Sequence, residues 1–570
     1  MLQLSQRVAA LCVLICAAVV PAGPINPPAG PVTPTPGPEP RIPISPATTP
    51  GDADSLYLIT TPGSYYLTGN IQGVANKHGI KIGTANVTLD LNGFELAGTN
   101  TVSTFDGVRN IVAGAASITV LNGTVRDWGD RGIDLASASP IGGRIAGIVA
   151  KSNGGTGIAA GSSFVVADCS AISNGADGIS AGENCTVAAC TAQANEDRAF
   201  AVGTDCTVSR CTATDSATGL HAAGGTAFTD CTSAFNGEGT RTGSGCSFTR
   251  CSIQFNTLRG LLSGDDCTVT ACTIVSNAGS GLNVGGRSNI THSIISRSGG
   301  VGITASTAGV RIEGCTISEN TLQGVSSDNV SNLSGLTVIG CTIRGNGSGG
   351  IDAEEATRVV NCTVSDNGVS VVSPGIDVGS RSTVLDTDAS GNTGAGIVVA
   401  AGGTVARCSA VSNTGNGFTL ASNSIITAST ARTNGVIGIN TGFNCTIIDC
   451  LSTNNSGSGI ATGQGCLIRG NTSNSNGVST TGAGIQVDAT DCRIEGNVCN
   501  LNDIGIDINF AGNLVVRNSC AGNTTNNWDI IANNVVAPII DRRAPASAVA
   551  TGNSFAGSLG TTDPNANFTY

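Results

Sequence analysis

The chain has 570 residues, 80 of them Gly, with 3% aromatic and 12% charged residues and a formal net charge of −12. A core with so few aromatics must be laid down in thin aliphatic layers by short strands and tight turns. Lys occurs only at Lys77, Lys81 and Lys151, so there is no basic stripe to neutralise a phosphate backbone, which argues against nucleic acid as a partner.

Residues 1–22 carry Arg7, an apolar run from Val8 to Val20 and the small-residue end Val20-Pro21-Ala22. That is the pattern of a secretory signal cleaved near Ala22, so a secreted, cell-surface or periplasmic location is expected. Residues 23–51 hold most of the Pro and read as an extended, semi-rigid spacer. Residues 52–147, with GSYYLTGNI, NVTLDLNGFEL and SITVLNGTVRDW, read as a cap followed by coils of uneven length. Beyond the signal, no stretch reaches the roughly 20 apolar residues that span a bilayer.

From 148 to 523 one pattern recurs about every 21 residues: a small residue or Cys, an apolar pair, an Asn, then Gly and an aliphatic residue, as in CTVAACTAQAN and CTVTACTIVSN. About eighteen copies are present, and nearly all fill the Asn position, from Asn153 and Asn174 to Asn502 and Asn523. Apolar residues alternate within each copy, the period of a strand with one buried face. Each copy is therefore expected to form one coil of three short strands, with the Asn in a single axial column of hydrogen-bonded amides. Residues 524–570 are expected to cap the last coil, with Trp528 packed on it.

These repeats resemble the right-handed parallel β-helix superfamily, which includes pectate lyases, polygalacturonases and NosD-like periplasmic proteins. The resemblance covers residues 65–523 and implies an all-β, single-stranded right-handed parallel β-helix solenoid. It does not select an activity, because the superfamily hosts lyases, hydrolases, epimerases, adhesins and proteins without a known reaction. The motifs Gly-His-Gly, Asn-Thr-Asp, Asp-Pro-His-Glu and Arg-Ile-Lys are absent. His78, His221 and His292 are singly placed and make neither a triad nor a copper set.

Cys12 and Cys16 fall in the signal; the remaining Cys form columns, one at 169, 190, 211, 231, 251 and 272. Two readings stand: buried thiols used as small hydrophobes, and disulfides between coils. Without a CxxC pair, neither a zinc nor a redox centre is expected.

The residue after each Gly-aliphatic pair should point outward. In coil order these residues include Asp134, His221, Arg241, Asp352, Asp377 and Asp507. Asp352 and Asp377 fall on adjacent coils, where stacked carboxylates repel unless something compensates. Extra residues at 327–335 and 369–374 make the same coils irregular. A ligand site is expected there, formed by Asp352, Asp377, Glu354, Glu355, Arg358 and Arg381. The resemblance to pectate-lyase-like enzymes, in which acidic residues on an outward strand hold calcium, implies Asp352, Asp377 and Asp328 as oxygen ligands of such an ion. The cluster Arg126–Asp134 reads instead as a charged turn, with Trp128 as a packing plug. The leading expectation is an exported protein that contacts extracellular polysaccharide, or serves as a scaffold, without catalysis. The rival is a calcium-dependent polysaccharide lyase or related hydrolase.

Overall fold

Every strand pairing between coils is parallel, and the register advances by one coil at a time. The computed structural model describes residues 41–100, 103–114, 116–327, 335–478, 481–541 and 561–570. Among them there is no helix, and hence none long and apolar enough to cross a membrane. One regular coil consists of the strands Thr186–Ala188, Thr191–Gln193 and Arg198–Thr204. Each stacks on its counterpart in the next coil, with Val187 opposite Val208, Ala192 opposite Ala213 and Phe200 opposite Leu220. The third strands form one face of 22 strands. The first and second strands belong to a single 44-stranded sheet, because Ala116–Arg126 and Ile141–Lys151 run through both faces.

The coil length follows from its corners. In this coil Asn184, Ala189 and Ala194 have φ of 56°, 54° and 54°, and this left-handed kink turns the chain at the end of each strand. The residue after each kink, here Cys185, Cys190 and Asn195, points inward and is buried. Three kinks and three strands thus return the chain to its start one coil further on.

At the third-face corner the buried residue is Asn, and an axial amide chain explains why. Asn174 donates through Nδ2 to Asn195 Oδ1 at 2.9 Å and to the Ala150 carbonyl at 3.2 Å, while its backbone N–H also reaches Asn195 Oδ1. Each amide is satisfied by its translated copies, so the column extends without a terminal donor inside the core. It runs from Asn153 to Asn523 in one register, interrupted at Ser216 and Ser298, and ends on Asn527. The Gly of the repeat is fixed by the same column: a Cβ on Gly178 would lie 2.6 Å from Asn195 Nδ2.

All Cys from 169 to 520 are buried free thiols. A thiol closes its corner weakly, as where Cys190 Sγ donates to the Ala188 carbonyl at 3.3 Å. Toward the C-terminus this column changes to Asn471, Asn497 and Asn518, which build a second amide chain. The inward hydroxyls of Thr242, Ser263, Thr441 and Thr462 have no oxygen or nitrogen partner. They lie against the thiols of Cys246, Cys267, Cys445 and Cys492.

Two boundaries differ from expectation. The fold already includes Ile42 and Pro43, inside the stretch read as spacer, where they pair with Tyr65 and Tyr66 and Ile44 is buried. Pro is tolerated there because the strand is an edge. At the other end the third face continues past Asn523 with Asn526–Ile530, which places Trp528 beside Ile506. The tail strand Asn567–Thr569 then inserts between Ser519–Ala521 and Ile539–Asp541. Asn567 Oδ1 accepts the Asn518 N–H at 2.9 Å, so the tail supplies the last amide of the second column, and Thr569 Oγ1 accepts the Trp528 indole N–H at 2.7 Å.

Candidate functional site

Backbone pairing assembles the third-face outward residues into one axial row, with Ser326 opposite Asp352, Asp352 opposite Asp377 and Asp377 opposite Val398. The strands Ile351–Ala353 and Ile376–Val378 alternate strictly: Ile351, Ala353, Ile376 and Val378 point into the core, so both Asp must face out.

The insertion at 369–374 folds back onto the preceding coil. Ser370 and Val371 donate their backbone N–H groups to the Gly347 carbonyl, which makes a wall whose outer side exposes Val369, Val371 and Val372. Between wall and face lies a cleft of about 150 Å³, lined by Gln323, Gly349, Ile351, Asp352, Ser373, Pro374 and Asp377. Gln323 Nε2 donates to Asp352 Oδ2 at 3.1 Å. The Asp377 carboxylate receives no hydrogen bond among the described residues. Burial, and then the Asp352 carboxylate, push its pKa up.

The other expected residues are placed less closely. Glu354 and Glu355 lie in the turn after the Asp352 strand, where the Glu354 N–H donates to Ser327 Oγ at 2.9 Å. Arg381 occupies a left-handed corner at φ 58° and is ion-paired with Glu355. Arg358 is on another face, in register with Thr337 and Thr383, so the fold separates it from the Asp ladder. Asp328 lies outside the described residues. Among the described residues no three His, Cys, Asp or Glu converge on a point. Two carboxylates supply at most four of the six to eight oxygens calcium takes, and no reaction step through calcium follows from them.

Larger hollows lie elsewhere. One of about 350 Å³ is lined by Asn100, Trp128, Asn153 and Glu196, and one of about 330 Å³ by Asn523, Trp528, Ile539 and Thr569. Each is lined by a single carboxylate, Glu196 in the first and Asp541 in the second, with no second titratable side chain among the described lining residues. Trp128 is buried with its indole N–H on the Leu96 carbonyl at 3.1 Å, as a plug would be.

Of the charges in the N-terminal coils the sequence pattern announced only the turn Arg126–Asp134, and there Asp134, expected to point outward, is buried. Asp106 is fully buried and accepts from the Arg131 backbone N–H and from Arg109 Nη1. Burial pushes its pKa up to about 7. His78 Nδ1 lies 3.6 Å from Asp106 Oδ2 but accepts the Asp106 backbone N–H at 2.8 Å. The ring is therefore neutral and the contact is not an ion pair; burial, and then Arg109, push its pKa down to about 4. Lys81 is buried between Asp52 and Asp54, and Arg131 holds Asp134. Lys81, Asp106 and Asp134 are each paired inside the cluster, and the Lys81–Asp54 and Arg131–Asp106 contacts tie successive coils together.

The chain matches the family described as "Right handed beta helix region" over three overlapping stretches, 236–393, 285–436 and 324–487. No curated protein sequence matches it. Among solved structures it is similar to the mannuronan C-5 epimerase AlgE6 A-module of Azotobacter vinelandii, with 12% identity over 84% of this chain and 91% of that one, at a TM-score of 0.22. It is similar to the Dettilon tailspike protein, with 12% identity over 75% of this chain and 62% of that one, at a TM-score of 0.21. It is also similar to the periplasmic alginate epimerase AlgG, with 10% identity over 80% and 81%, at a TM-score of 0.15. At this level of superposition the likenesses do not bear on activity.

Proposed function

We propose that this chain, a member of the right-handed parallel β-helix superfamily, is an exported envelope or surface protein whose third face contacts polysaccharide without catalysis. The observation that carries the reading is the walled cleft at Asp352 and Asp377, set in a face whose outward residues stand in one row at the coil spacing of about 4.8 Å. A row of side chains at fixed spacing suits an extended polymer, which can be held by many weak hydrogen bonds along the axis. The non-catalytic part rests on the placement of bases. A lyase needs a base within reach of the bound sugar, and of the two nearby arginines Arg381 is bound to Glu355 while Arg358 stands on another face. Export rests on the signal pattern of residues 1–22.

The in-register Asp pair also favours a second reading, a calcium-dependent lyase, because a divalent cation would relieve the repulsion that raises Asp377. The test is a panel of acidic and neutral polysaccharides offered to the purified protein with and without calcium. Binding, unsaturated-product absorbance and reducing ends would be followed together. Binding without turnover is expected. Turnover lost in Asp352→Asn would establish the enzyme instead, and no binding to any glycan would remove both readings.

A further inference from the structure

Glu238 is an unusual residue on the third face. It opens the strand Glu238–Thr242 just past the Asn236 corner, and its side chain is only 6% exposed. Its Oε2 accepts from Arg241 Nε at 2.6 Å. Its Oε1 has no hydrogen bond, and Arg259 Nε of the next coil stands 3.5 Å away.

Most other arginines nearby are neutralised. Arg198 is held by Asp177 at 2.9 Å and Asp197 at 3.4 Å. Arg250 and Arg287 are forked onto Asp230 and Asp266 through both Nε and Nη2. At Glu238 one buried carboxylate instead takes two guanidinium groups by their Nε edges. Among the described residues neither Arg241 nor Arg259 makes a hydrogen bond through Nη, and the two side chains are 50% and 40% exposed. Two cations on one anion leave local positive charge on a chain whose formal net charge is −12. His221 stands in register beside Arg241, half-buried, with its pKa pushed down by burial and then by Arg198. It adds a neutral donor and acceptor.

We propose that Arg241 and Arg259, oriented by Glu238, form a binding site for an oxyanion group, a carboxylate, sulfate or phosphate. The planar Nη edge of a guanidinium matches two oxygens of such a group. A buried carboxylate on the Nε side fixes that edge outward, which makes Glu238 a positioning residue. The site stands on its own observations and is separate from the Asp352 cleft, five coils or about 24 Å further along the face.

The test is isothermal titration of the full chain with sodium sulfate, sodium phosphate, a uronate oligosaccharide and a neutral oligosaccharide of equal length. Arg241→Gln and Arg259→Gln should each weaken oxyanion binding about tenfold or more, while Arg250→Gln changes nothing. Arg241→Lys keeps the charge and loses the fork, so it should weaken binding too, which guards against a Gln variant that fails to fold. Glu238→Gln separates positioning from charge: it adds positive charge, so a diffuse basic patch would bind more tightly, whereas a positioned pair should bind less tightly. Binding of sulfate or phosphate marks a free-anion site, and binding of the uronate alone marks a carboxylate carried on a glycan; both support the inference. It is overturned if no oxyanion binds, if the arginine variants bind as the parent does, or if Asp352→Asn with Asp377→Asn removes the same binding.

Discussion

The regular coils and the N-terminal coils bury polar groups by opposite means. Between Asn153 and Asn523 the buried amides find their partners in copies of themselves, so one residue type solves the problem at that corner in nearly every coil. Before Asn153 there are no such copies to lean on, and the interior polar groups include the titratable Lys81, Asp106, Asp134 and His78, each held by a particular neighbour. The amide column carries no titrating group, whereas the N-terminal end is closed by specific charges and inherits their titration.

The sharpest way to break the comparison is to interrupt the amide chain. Asn367 is fully buried; its Oδ1 accepts from both the N–H and the Nδ2 of Asn346, and its Nδ2 donates to Asn392 Oδ1 and the Ile343 carbonyl. Asn367→Leu should cost roughly 5 kcal/mol by leaving several of these groups unpaired. Hydrogen exchange should show the loss confined to the coils around Asn346 and Asn392, with the N-terminal coils unchanged. A uniform loss along the chain would show that the coils do not behave as near-neighbour units.

Next in size is a pH effect that should appear only at the N-terminus. Asp106, raised to about 7, is more easily protonated when folded, so its contribution to stability falls as pH rises from its unfolded value near 4 to about 7. His78, lowered to about 4, has the opposite sign, and its contribution is lost as pH falls from about 6.5 to 4. The two slopes oppose each other over about pH 4–6.5. Asp106→Asn should uncover the His78 slope, and His78→Gln should uncover the Asp106 slope, by on the order of 3 kcal/mol in each case. Exchange at residues 78–82 and 108–110 followed against pH measures this, with the uncharged strand Phe418–Leu420 as the control. Equal slopes in both regions would remove the contrast.

A smaller effect sharpens the comparison inside the regular coils. The Cys450 N–H donates to Asn471 Oδ1 at 2.9 Å, so Cys450 is where the thiol column meets the second amide column. Cys450→Asn should extend that chain by one member and stabilise by about 1 kcal/mol in chemical denaturation. Thiol counting on denatured, unreduced protein should find every Cys from 169 to 520 reactive; fewer than half reacting would mean that coils are joined by disulfides. The smallest effect is expected at the cleft. If Asp352 and Asp377 take calcium, the ion should raise Tm by a few degrees through mass action on the folded state. Asp352→Asn with Asp377→Asn should abolish that shift.

The amino-acid sequence was sufficient for the repeat and for the side on which its residues lie. The order of the outward row was readable because a strand shows alternate residues to opposite faces and the coil length equals the Asn spacing. That logic placed Asp352 beside Asp377, and it placed His221 and Arg241 in the same row. It could not say which outward charge is buried or shared, because that depends on side chains reaching across coils. Glu238 and Arg259 stand off the counted row, just after an Asn corner, and the signal was a Gly-Thr where the repeat has Gly-aliphatic. Arg358 was near the Asp pair in number, yet a corner of the coil puts it on another face.

The ends show the same division. Sequence periodicity determined the coil, because identical corners and strands impose it locally at each repeat. Only the tertiary structure decided that Ile42 and Pro43 join the first coils and that Asn567 completes an amide column begun at Asn471. Those pairings are not periodic: they close the open ends of a stack, where the satisfying partner is whichever segment of the chain can reach the last unpaired edge.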